Sequence, residues 1–131
     1  MQTVKEAEIQ SKELNEHNDC AIMSLSQAVG KDYREVAELS YKLGRKKGRS
    51  TPWKVVDGLM KEYKMIYVNT IHKYNGRPQA WWFLKDSQYV KETIVVNVRG
   101  HFWVAKQGKA IWGLWKNKCL VKGYYIQSQG V

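Results

Sequence analysis

Two residues far apart in the chain carry side chains that can form a nucleophile and its base. Cys20 follows the polar stretch Asn15-Glu16-His17-Asn18-Asp19 and stands at the expected first turn of an apolar helix. His101 follows Arg99-Gly100 and opens the run His101-Phe102-Trp103-Val104-Ala105. The thiolate is the reactive form of cysteine, and the free N–H groups and partial positive charge of a helix N-terminus stabilise it. An imidazole beside it can take the thiol proton and later pass it to a leaving group. The backbone N–H of Cys20 would supply one oxyanion donor, with the side-chain amides of Asn18 and Asn15 as candidates for a second. The plain alternative is a buried structural cysteine and an ordinary hydrogen-bonding histidine, since both residue types take those roles often.

These two residues need a helical part and a sheet to hold them. Met1 to Glu16 is charged and weakly patterned, an extended or partly helical lead-in. Asn18 or Asp19 can cap the helix that follows, whose apolar face is Ala21, Ile22, Leu25, Ala28 and Val29, with Gly30 ending it. Asp32 is the expected cap of a second helix bearing Tyr33, Val36, Ala37, Leu39 and Leu43, closed by Gly44. Thr51-Pro52 predicts a third helix, Thr as cap and Pro at the first helical position. Arg77 to Leu84 predicts a short fourth.

Strand signals dominate afterwards. Met65 to Asn69 has strand character, and Thr93 to Arg99 is β-branched and nearly continuous, as in a central strand. His101 to Lys106, the turn Gln107-Gly108-Lys109 and Ala110 to Trp115 predict a hairpin, and Cys119 to Gln127 a last strand. Helices first and an antiparallel meander second predict an α+β fold in one domain over residues 1–131. Strand alternation puts His101, Trp103 and Ala105 on one face, so Trp103 is the expected cleft wall beside His101.

Composition narrows the partners. The 131 residues carry a net charge of +10, which favours acidic partners such as nucleic acid, anionic polymers or acidic proteins. Arg45, Lys46, Lys47 and Arg49 form the densest cationic segment, expected to be a solvated loop, with Tyr41 or Trp53 nearby to stack on bases. Nucleic acid is an open but not favoured partner. Trp81, Trp82, Trp103, Trp112 and Trp115 are candidates for core or for an interaction surface. Two cysteines make no disulfide framework, the N-terminus has no secretory apolar segment, and no run is long enough for a membrane span. A cytosolic protein with reduced thiols is expected. His17, His72 and His101 do not combine with Cys20 and Cys119 at zinc spacing, and no phosphate-loop or dinucleotide fingerprint occurs, so neither metal nor cofactor is expected.

Asn18-Asp19-Cys20, then Gly30-Lys31-Asp32-Tyr33-Arg34-Glu35-Val36, then Arg99-Gly100-His101 and the late Tyr124-Tyr125 resemble small papain-like cysteine peptidases encoded by bacteriophages. Their wider relatives include bacteriocin-processing peptidases. The resemblance spans about residues 15 to 125. It implies a papain-like fold, Cys20 as nucleophile and His101 as base, and a peptide or protein substrate, which includes host bacterial proteins. It also implies residence in the host cytoplasm, if phage-encoded. Two positions depart from the family pattern. Relatives commonly place an orienting Asp where Trp112 and Gly113 stand here, which leaves Asn117 as the nearest polar substitute. They also often carry Gln where this chain has Leu14. The functions expected are therefore cleavage of an amide, peptide or isopeptide bond through a Cys20 thioester. The alternative is a papain-fold protein of weak or no activity, binding a host protein or nucleic acid through its basic, aromatic-rich surface.

Overall fold

The computed structural model describes residues 2–114 and 116–127. Four helices come first: α1 (Val4–Glu13), α2 (Cys20–Val29), α3 (Tyr33–Lys42) and α4 (Trp53–Glu62). The lead-in is thus largely helical, started by a reciprocal capping box between Thr3 and Glu6. Gly30 ends α2 in the left-handed region at φ 69°, and the Asp32 carboxylate caps α3 on Arg34 N at 3.0 Å, both as expected. The start of α4 lies one residue later than the sequence suggests. Pro52 is extended (φ −62°, ψ 153°) and occupies the cap position itself, its carbonyl receiving Val55 N and Val56 N.

The sheet strands are β1 (Met65–Asn69), β2 (Thr93–Val98), β3 (His101–Lys106), β4 (Lys109–Trp112) and β5 (Val121–Gln127). Between β1 and β2 lie α5 (Thr70–Tyr74), which the sequence reading missed, α6 (Ala80–Asp86) and a 3-10 turn at Ser87–Tyr89. The Asn69 side chain caps α5 on Ile71 N at 2.8 Å. The order is β1-β5-β2-β3-β4, every neighbouring pair antiparallel. The architecture is α+β. Trp115, expected in the returning strand and in an aromatic surface, lies outside the described residues.

Both faces of the sheet are covered. On one face Val95 and Tyr125 join the core of α1 to α4, built on Ile22, Leu25, Tyr33, Val36, Val56 and Leu59. On the other, Ile94, Val96, Trp103, Ala105 and Tyr124 pack with Ala80 and Phe83 of α6. Central strands buried on both sides explain the unbroken apolar run of β2. Two β-bulges interrupt the ladders. Lys122 is the extra residue between the pairs Asn97–Gly123 and Val98–Val121, and Ile111 is the extra residue opposite Val104 and Ala105. Such bulges bend a strand and re-aim its side chains. The first lies beside Val98, the pairing partner of His101. Among the described residues, no helix is long and apolar enough to cross a membrane.

Candidate active site

The helical layer delivers Cys20 and the sheet delivers His101 to one cavity of about 550 Å³. Cys20 is the first residue of α2, and His101 is the first residue of β3, against which α2 packs. Asp19 occupies the cap position of α2 but makes no side-chain cap bond. Its carboxylate instead accepts from Ser11 Oγ at 2.7 Å and Tyr33 Oη at 2.6 Å, tying α1 and α3 to the start of α2. The expected cap is therefore absent: no carboxylate or amide side chain holds the first N–H groups of α2, and those of Cys20 and Ala21 lie against the Cys20 sulfur. An oxyanion donor draws on such groups.

His101 is buried, at 6% exposure. Its Nε2 lies 2.6 Å from the carbonyl oxygen of Gly113. A carbonyl only accepts, so Nε2 carries the proton in this contact and Nδ1 is left in the acceptor form of the neutral ring. Gly113 makes the contact from a left-handed backbone at φ +86°, where a Cβ would come within 3.2 Å of Trp103 Cβ. Trp112 flanks the imidazole with ring centroids 6.4 Å apart. The orienting acceptor that the sequence lacks as a side chain is thus present as a main-chain carbonyl at the same position.

Burial is the largest influence on Cys20 and pushes its thiol pKa up, with Asp19 adding to the rise. Hydrogen bonds from the backbone of Phe102 and Ala21 act the other way without cancelling it. Burial also lowers the His101 pKa, against a smaller opposite effect of the Gly113 carbonyl. Both groups are therefore held neutral near pH 7. The expectation of a thiolate stabilised at rest by the helix terminus is corrected: loss of water outweighs the helix N–H groups.

The other candidate residues separate. Asn18 lines the Cys20 cavity, its Nδ2 donating one N–H to Gly48 O at 3.3 Å and the other to no partner among the described residues. Asn15 does not line this cavity; it adopts φ 54° in the loop after α1 and borders a different surface pocket. Asn117 is exposed and lines neither cavity that His101 borders; its main-chain carbonyl receives Trp81 N at 2.9 Å. Trp103 is fully buried in the α6-side core and walls a second cavity, behind His101. The wall on the Cys20 side comes from Phe102, with Trp53 packed edge-on against it at 6.4 Å. Leu14 packs against the helical core.

Arg45 is not part of a solvated loop. Its side chain is inaccessible and paired with the equally inaccessible Glu16 at 2.7 and 3.1 Å. Glu16 also receives Tyr41 Oη and Gly48 N. Lys46, Lys47 and Arg49 are exposed, as expected. Among the described residues, no group of three or more His, Cys, Asp or Glu side chains is placed to hold a metal. No protein-family model, no curated protein and no solved structure matches this chain.

Proposed function

We propose that this protein is a papain-like cysteine hydrolase that cleaves an amide, peptide or isopeptide bond. One observation carries the reading: Cys20 at a helix N-terminus and His101 border one cavity, and the imidazole is oriented by the Gly113 carbonyl. Because both groups rest neutral, the thiol proton moves to Nδ1 of His101 as sulfur attacks the carbonyl carbon. The tetrahedral oxyanion takes hydrogen bonds from the Cys20 N–H and the second amide N–H of Asn18. Collapse breaks the C–N bond as His101 protonates the leaving amine. Water, deprotonated by His101, then cleaves the thioester and restores the thiol.

The test is incubation with peptide and isopeptide-linked substrates, read by mass spectrometry. The reading expects an acyl adduct on Cys20 and product release that Cys20→Ala abolishes. Product formation unchanged in Cys20→Ala, or no adduct across such substrates, contradicts it. A second reading, a papain-fold binder of a bacterial host protein or nucleic acid without turnover, draws on the neutral resting state of both groups. It draws also on the exposure of Trp53 and of the cations Lys46, Lys47 and Arg49. It expects Cys20→Ala to bind a host protein or nucleic acid as the wild type does; loss of that binding in the folded variant rejects it.

A further inference from the structure

His101 also borders a second cavity, of about 400 Å³, on the side of the sheet away from Cys20. Arg77, Arg99, Lys116 and Lys122 line it, and no Asp or Glu does among the described residues. None of the four cations forms an ion pair among the described residues. A separate observation points the same way. Trp103 lines this cavity, is fully buried, and its indole Nε1–H has no hydrogen-bond partner among the described residues. An indole nitrogen can only donate, and a buried donor without an acceptor is costly. The cavity therefore gathers four cationic donors and a buried indole N–H, with no carboxylate among its described lining residues. An oxyanion supplies negative charge for the guanidinium and ammonium groups and, on a small shift that uncovers the inaccessible Trp103 ring, a lone pair for the indole.

We propose that this cavity is a binding site for an anionic oxygen group, a carboxylate or a phosphate, held by Arg77, Arg99, Lys116 and Lys122 with Trp103 Nε1–H. Lys122 lines this cavity and the Cys20 cavity alike, so the bound anion would lie next to the cavity that Cys20 and His101 both line. Its use as a specificity subsite for an acidic or phosphorylated substrate rests on the hydrolase reading; anion binding does not.

The experiment follows the assigned Trp103 indole N–H resonance of the full chain during titration with inorganic phosphate and, separately, glutarate. Chloride holds ionic strength constant, because surface charge alone would respond to salt. A saturable shift with either probe, weakened about ten-fold or more in Arg99→Gln/Lys116→Gln, is the expected result. Tighter phosphate binding assigns the site to a phosphate-bearing ligand, and tighter glutarate binding to an acidic side chain or a chain-end carboxylate. No saturable shift with either probe overturns the proposal, as does an equal shift in the double variant. Both substituted residues are exposed, and circular dichroism confirms that the variant is folded. Cys20→Ala should bind the probes as the wild type does, so failure of hydrolysis and failure of anion binding are told apart.

Discussion

Gly113 places a carbonyl where a side-chain acceptor would otherwise have to orient His101. The role depends on a backbone conformation that side chains disfavour, at φ +86°, and on the absence of a Cβ near Trp103. Gly113→Ala should cost on the order of 1 kcal/mol in urea unfolding. It should also lower kcat more than it changes KM, since it loosens the base rather than the binding surface. An unchanged kcat in the folded variant would remove Gly113 from the mechanism. The pH profile follows from the neutral pair. A His101 pKa lowered below its ordinary 6.5 keeps the base competent in mild acid, so the acid limb of kcat/KM should fall below 6.5. An acid limb at or above that value would contradict the burial argument. A single sequence shows this contact poorly: a carbonyl leaves no residue type to read, and Gly113 looks like one more turn glycine.

At the scale of elements, Glu16 stitches the end of the α1 region to α3 through Tyr41 and to the 45–49 loop through Arg45 and Gly48 N. Asn18, at the mouth of the Cys20 cavity, is tied to the same loop through Gly48 O. Removing one partner leaves a buried charge, so Arg45→Gln should cost about 3–5 kcal/mol by chemical denaturation. Burial pushes the Glu16 pKa up, but the Arg45, Tyr41 and Gly48 hydrogen bonds outweigh it, leaving the pKa below its ordinary 4.5. A lowered carboxyl pKa adds stability above the ordinary value and loses it as pH falls through the folded value. Glu16→Gln should therefore flatten the loss of stability in acid, measured as unfolding free energy against pH; an unaltered slope would show that other carboxylates dominate. The caps at Gly30 and Asp32 and the hairpin at Gln107-Gly108 were legible because local chemistry sets them. Arg45 was not, because its partner Glu16 lies 29 positions away and a cation in a basic run reads as solvated.

At the scale of the molecule, the α+β architecture was legible from helices preceding strands, and the juxtaposition of Cys20 with His101 only as an expectation from resemblance. Alternation correctly gave Trp103 and Ala105 a common face but did not show which layer covers that face. Trp103 therefore belongs to the α6 side, while His101, at the strand end, borders the cavities on both sides. The central claim is that Cys20 and His101 work as nucleophile and base. Its most direct measurement is the rate of iodoacetamide alkylation at Cys20 and Cys119 near neutral pH, in wild type and His101→Gln. Glutamine can still donate to the Gly113 carbonyl while losing the base. Burial raises both thiol pKa values, and in this account base assistance from His101 offsets it at Cys20. The account predicts that Cys20 reacts faster than Cys119 in the wild type and that His101→Gln abolishes the difference. Equal, slow alkylation of both cysteines, or a Cys20 rate indifferent to His101, would contradict it.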